Sequence, residues 1–116
     1  MRVLVVDDSA VMRKIIIKAL MDGGYQDIVE AGNGEEALAK LHEVNIVFTD
    51  WNMPVMDGIG FVKAARKTSK IPIVMITTEG GQKEVIEAMR SGVNDYIVKP
   101  FTPSVLIGKM EALVKK

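Results

Sequence analysis

The sequence predicts an α/β fold built on a five-stranded parallel sheet, and three observations agree on it. Five short runs rich in β-branched residues can be marked along the chain. A stretch with helical spacing follows each of them. Three of the runs are almost continuously apolar, as strands covered by helices on both faces must be. The strands are Val3–Val6, Ile28–Val29, Ile46–Thr49, Ile73–Thr77 and Tyr96–Val98.

After the first strand, Met12, Ile15, Ile16, Ala19 and Leu20 share one helical face, and either Asp8 or Ser9 can cap that helix. Strand two is short and flanked by Asp27 and Glu30, which suits a sheet edge. Asn33 and Glu36 have the spacing of a capping box that opens a second helix through Leu41. Asp57 can cap a third helix carrying Phe61, Val62 and Ala65. A fourth, from Gln82 to Ser91, groups Val85, Ile86 and Met89 and ends at Gly92, a residue suited to the position after a helix. Thr102 followed by Pro103 starts a fifth, whose inward face is Leu106, Met110 and Leu113. Alternating strands and helices require right-handed crossovers, and a doubly wound sheet in the order 2-1-3-4-5 satisfies them.

Composition narrows the function. The chain has 116 residues, enough to bury a core without cross-links, and it reads as one domain, 1–116. Fifteen basic residues balance fifteen acidic ones, so no global field favours nucleic acid. There is no cysteine, hence no disulfide, thiolate site or Cys nucleophile. The first apolar run stops at two aspartates, too short for a signal peptide or a membrane span. A cytoplasmic protein is expected.

In an open parallel sheet, ligands bind beyond the carboxyl ends of the strands, at the switch in strand order. The residues there are Asp7 and Asp8 after strand one, Asp50 after strand three, Thr77 after strand four and Lys99 after strand five. Three converging carboxylates need positive charge. Lys99 supplies one, and Mg²⁺, which takes oxygen ligands and leaves room for phosphate, is the natural second; the cluster has no His or Cys for zinc. Between such cations a carboxylate can attack phosphorus. Asp50, at the end of the central strand before Trp51, Asn52, Met53 and Pro54, is the nucleophile by position, and Asp7 and Asp8 suit the metal.

Each residue also has an ordinary reading: a cap for Asp8, a solvated turn for Lys99, a strand β-branch for Thr77, half-buried aromatics for Trp51 and Tyr96. Their convergence carries the claim. A phosphatase with an aspartyl phosphate would need a cap insertion for which no connection is long enough. A mononucleotide binder would meet repulsion from Asp7 and Asp8.

At these residues the chain resembles response-regulator receiver domains, most closely the single-domain chemotaxis type. The match runs end to end through Val-Asp-Asp-Ser at 6–9, Thr-Asp-Trp-Asn-Met-Pro at 49–54, Met-Asp-Gly at 56–58, Ile-Thr-Thr-Glu at 76–79 and Tyr-Ile-Val-Lys-Pro-Phe at 96–101. Its sheet is the flavodoxin-like one, of which this family is itself a standard example. The resemblance implies phosphorylation of Asp50 and a Mg²⁺ ion, replaceable by Mn²⁺, held by Asp7, Asp8, Asp50 and the backbone carbonyl of Asn52. It implies that Lys99 and Thr77 contact the phosphoryl group. It implies too that Thr77 and Tyr96 switch, altering the surface of helix four, strand five and helix five. A cis bond between Lys99 and Pro100 is expected on the same ground. Asn52, Thr78 and Glu79 flank the site and are expected to tune a phosphoryl lifetime of seconds to minutes. Thr78 is larger than the residue common after the switch threonine. The implied protein is a monomer that catalyses only its own phosphorylation and dephosphorylation. Its partners would be a histidine kinase or phosphotransfer protein, an effector such as a flagellar switch protein, and a phosphatase; neither nucleic acid nor membrane is among them. A pseudo-receiver, which binds without chemistry, would usually lack the acceptor, a metal acid or the lysine, and all are present.

Overall fold

The computed structural model describes residues 1–114. Residues 115 and 116, the end of the expected domain, lie outside them. The elements follow in the order β1 (Val3–Val6), α1 (Ala10–Asp22), β2 (Ile28–Ala31), α2 (Gly34–Lys40), β3 (Ile46–Thr49), α3 (Gly58–Ala65), β4 (Ile73–Thr77), α4 (Gln82–Ser91), β5 (Asp95–Val98) and α5 (Pro103–Val114). All strands are parallel in the order β2-β1-β3-β4-β5, as the alternation predicts. Among the described residues no helix is long and apolar enough to cross a membrane.

Side chains alternate across a strand, so each strand feeds two cores. Leu4, Val6, Val47 and Met75 pack with Phe61, Val62 and Ala65 of α3 and Ala88 of α4. Val3, Val5, Phe48, Val74 and Ile76 pack with Ile16 and Leu20 of α1 and with Leu106 and Met110 of α5. Helices thus cover both faces, and the polar strand ends are left at one rim.

Local chemistry fixes the helix starts. Ser9, rather than Asp8, caps α1, its hydroxyl accepting from the Met12 N–H at 3.1 Å. That leaves the Asp8 carboxylate out of the cap. Asn33 and Asp57 cap α2 and α3 by accepting from Glu36 N–H and Gly60 N–H. The Glu36 carboxylate reaches back to Gly32 N–H, one residue before the cap that the box predicts.

Several expectations are corrected. β2 extends to Ala31 and β5 begins at Asp95, because a ladder is set by its partner strand: Ala31 pairs with Val6 and Asp95 with Val74. Ile15 is 49% exposed, since α1 buries only a narrow stripe through Ile16, Ala19 and Leu20. In α4, Ile86 and Met89 are 42% and 45% exposed, and Ala88 is the buried residue. Its small side chain lets α4 approach the sheet, so the larger apolar residues flank the contact. Apolar spacing alone does not say which flank is covered.

Candidate functional site

The parallel sheet carries Asp7, Asp50 and Lys99 to one rim because each directly follows the end of a strand. Carboxylate oxygens of Asp7, Asp8 and Asp50 lie within 4.8 Å of one another. Lys99 Nζ donates to Asp7 Oδ2 at 3.1 Å and to Asp50 Oδ2 at 3.3 Å. Asp7 is only 2% exposed. A carboxylate that deep requires partners, and its Oδ1 accepts the Ser9 N–H at 2.9 Å while Oδ2 faces Lys99. Asp8 remains exposed at the mouth.

Asp50 is half-buried, and its Oδ1 accepts from its neighbour's backbone, Trp51 N–H, at 2.7 Å. Burial pushes its carboxyl above the ordinary value. The Lys99 ammonium and the Trp51 N–H oppose the rise, and the Asp7 charge adds to it. The net direction means that Lys99 and the Trp51 N–H together do not fully offset the cost of burying the charge. All the side-chain donors are oxygens and none is His or Cys, which suits a hard divalent cation.

The loop after β3 is tightly clamped. Gly58 N–H donates to the Trp51 carbonyl at 2.7 Å, and a Cβ at Gly58 would stand 2.2 Å from the Asp50 carbonyl oxygen. Only glycine fits there. Further along, Met56 N–H donates to the Pro54 carbonyl at 2.7 Å across Val55, whose φ is 69°. This is the geometry of a γ-turn, and it strains a β-branched residue. The Met56 carbonyl accepts from Gly34 N–H at the start of α2, which ties the loop to a neighbouring helix.

A second set of contacts lies along the same rim. Thr77 is buried, and its Oγ1 accepts from Glu79 N–H at 3.2 Å. The Tyr96 hydroxyl donates to the Glu79 carbonyl. Asn52 Nδ2 donates to Glu79 Oε2 at 3.4 Å, so the loops after β3 and β4 touch through side chains. Burial, helped by the charges of Glu79 and Glu84, pushes the Tyr96 phenol up to about 12. Thr78 is exposed. The Lys99–Pro100 bond is cis.

The strand-end rule thus gathers Asp7, Asp8, Asp50 and Lys99 into one cluster and places Thr77, Glu79, Asn52 and Tyr96 in a linked set beside it. Sequence reasoning missed Arg13, whose guanidinium donates to the Asp7 carbonyl and, at 2.8 Å, to Glu30 Oε1. No residue pattern signals a bond to a backbone carbonyl. It also missed the clamp at Gly58, for which the Gly of the Met-Asp-Gly segment was an available sign.

Comparison with known proteins agrees with this architecture. The profile of the response regulator receiver domain family matches residues 3–111. Chemotaxis protein CheY1 of Helicobacter pylori is 52% identical, with 98% of this chain and 97% of the relative covered. The chemotaxis protein CheY of Pseudomonas aeruginosa is 43% identical, covering 100% and 98%. Among solved structures, chemotaxis protein CheY4 of Vibrio cholerae superimposes with a TM-score of 0.89 at 38% identity, over 97% of this chain and 98% of that one. A two-component response regulator from Clostridium difficile gives 0.93 at 25% identity, over 100% and 97%.

Proposed function

This chain belongs to the response regulator receiver domain family, in its CheY-type chemotaxis branch, and from that premise we propose that it is a phosphorylation switch with Asp50 as acceptor. The observation that carries the proposal is the position of Asp50: a half-buried carboxylate at the end of the central strand, paired with Lys99 and within 4.8 Å of two more acids. The whole chain, 1–116, acts as one receiver domain.

Asp7, Asp8, Asp50 and the Asn52 carbonyl would hold Mg²⁺, and Mn²⁺ could substitute for it. When bound, the ion offsets charge on the phosphoryl oxygens. A carboxylate oxygen of Asp50 forms the new O–P bond as the P–N bond of a donor phosphohistidine breaks, the donor being a histidine kinase or phosphotransfer protein. The clamp at Gly58 and the Trp51 N–H hold the acceptor in place during transfer. Lys99, already beside Asp50, pairs with the phosphoryl oxygens.

Phosphorylation adds about 1.5 to 2 negative charges and three acceptor oxygens. Thr77 exchanges the Glu79 N–H for a phosphoryl oxygen. The loop from Thr77 to Gly81 then shifts, releasing the Tyr96 hydroxyl from the Glu79 carbonyl. That alters the face made by α4, β5 and α5, where Met89, Val98 and Val105 are exposed. An effector such as a flagellar switch protein reads this face. The chain turns over no separate substrate, and a phosphatase shortens a lifetime of seconds to minutes that Asn52, Thr78 and Glu79 set.

Incubation with acetyl phosphate or phosphoramidate, followed at once by intact-mass measurement, tests the proposal. The expected result is one phosphoryl group gained with Mg²⁺, none with EDTA and none in Asp50→Asn. Uptake by Asp50→Asn would overturn the acceptor assignment, and a phosphoryl group persisting for many hours would overturn the lifetime.

A further inference from the structure

A groove of about 560 Å³ lies between α3 and α4, lined by Lys63, Lys83, Ile86, Glu87, Arg90 and Ser91. It is separate from the acidic cluster and contains none of its residues. Lys83, Ile86 or Glu87, and Arg90 recur at helical spacing, so α4 presents one stripe to the groove, and Lys63 faces it from α3.

Three cations meet one carboxylate there. Among the described residues, none of Lys63, Lys83 and Arg90 lies within ion-pair distance of an acid, which is equally true of Lys14, Lys40, Arg66, Lys67 and Lys70; what sets these three apart is that they line one concavity. Lys63 and Arg90 sit in the last turns of their helices, where the helix dipole favours a cation. Lys83 cannot be explained that way. It is the second residue of α4, where the dipole disfavours positive charge, and Gly81 gives that end no side-chain cap. Glu84 does not compensate it in the groove, because its carboxylate folds back over Gly81, where Oε1 would be 2.1 Å from an added Cβ. Between the cations along α4 lies Ile86, 42% exposed, an apolar side chain in the lining of the groove.

We propose that the α3–α4 groove docks an acidic protein segment, with carboxylates paired to Lys63, Lys83 and Arg90 and one apolar side chain seated on Ile86. Unpaired cations around a partly covered apolar centre complement that occupant in charge and in polarity. A flat anionic bilayer would not enter the concavity, and a protein segment can space its carboxylates away from Glu87, which a uniformly charged phosphate backbone cannot do. The walls also differ in firmness. α3 is fixed by buried Phe61, Val62 and Ala65. α4 is held at its far end, where Arg66 Nε donates to the Gly92 carbonyl at 2.9 Å and Nη2 to Asn94 Oδ1 at 2.8 Å. Its near end, at Gly80 and Gly81, has no such tie among the side-chain hydrogen bonds of the described residues, so the groove can adjust to a chain laid in it.

Docking does not depend on the phosphorylation switch and is tested on the unphosphorylated, isotope-labelled chain. The probe is a synthetic helical peptide of about 15 residues, with Glu residues spaced at three and four positions around a single Leu. Amide shifts are expected at Lys63, Lys83, Ile86 and Arg90. Affinity should fall by about tenfold or more when Lys83→Glu and Arg90→Glu are combined, and should also fall with Ile86→Ser. All three positions are at the surface, so the variants should keep their unperturbed spectra elsewhere. The proposal is overturned if a peptide with Gln in place of Glu binds equally well, or if shifts cluster on Tyr96, Val98 and Val105 instead. Phosphatidylserine vesicles binding the chain with the same dependence on Lys83 and Arg90 would overturn it too, by making the patch a membrane contact.

Discussion

The Lys99 ammonium and the Asp50 carboxylate, 49 positions apart in sequence, meet at 3.3 Å on the rim of the sheet, and the same ammonium holds buried Asp7 at 3.1 Å. Lys99 is therefore the cation that lets two acids share the site. Replacing it by Ala strands Asp7 without its counter-charge. The expected cost, in EDTA, is about 3–5 kcal/mol, the range for breaking one side of a buried pair. Urea unfolding measures it, and added Mg²⁺ should restore part of the loss. A midpoint equal to wild type would show that the pairing contributes nothing to stability.

Asp50→Asn should raise stability at neutral pH in EDTA while abolishing phosphoryl uptake. The sign follows from the raised carboxyl. The folded state holds its proton more tightly than the unfolded chain, so the favourable contribution is present below the ordinary carboxylate value. It is lost as pH rises through that value to the raised one. Asn removes this penalty. Melting curves of the two proteins should diverge above the window and converge below it; a constant gap from acid to neutral pH would contradict the assignment.

Tyr96→Phe removes the hydroxyl that donates to the Glu79 carbonyl. A loss of about 1 kcal/mol is expected for one such bond, with phosphoryl uptake retained because the ring is not part of the acceptor cluster. In an alkaline absorbance titration, the transition near about 12 should vanish in this variant. Because that value is raised, the stability it reports is lost only as pH climbs from the ordinary phenol range toward 12.

Gly58→Ala tests the clamp. The new methyl would meet the Asp50 carbonyl oxygen at 2.2 Å and Trp51 Cα at 2.9 Å, both backbone atoms that cannot rotate away. Overpacking of this kind costs about 1–3 kcal/mol, and the shift of Asp50 should slow phosphoryl uptake even where the variant stays folded. Wild-type rates in a folded Gly58→Ala protein would remove the loop from the mechanism.

How far the site could be read beforehand depends on what each residue's position rests on. Asp7, Asp50 and Lys99 were legible because strand ends in a parallel sheet all open to one rim, a rule of topology that needs no side-chain detail. The caps at Asn33, Asp57 and Thr102 were legible because capping is decided within four residues. The choice between Asp8 and Ser9 was not, since both are short polar residues before the same helix. The burial of α4 was misread for a similar reason. Val85, Ile86 and Met89 have the spacing of an inward face, yet Ala88 is the residue that meets the sheet.

The sequence by itself determined the alternation of strands and helices, and with it the parallel sheet, its strand order and the rim where the acids collect, because periodicity and chain connectivity leave few other solutions. Only the tertiary structure decided which partners each polar group takes: Ser9 as the cap, Arg13 on the Asp7 carbonyl, Tyr96 on the Glu79 carbonyl, and the cations left unpaired between α3 and α4. Hydrogen bonds and ion pairs form over three or four ångströms between atoms whose separation is set by packing, and spacing along the chain carries no record of that distance.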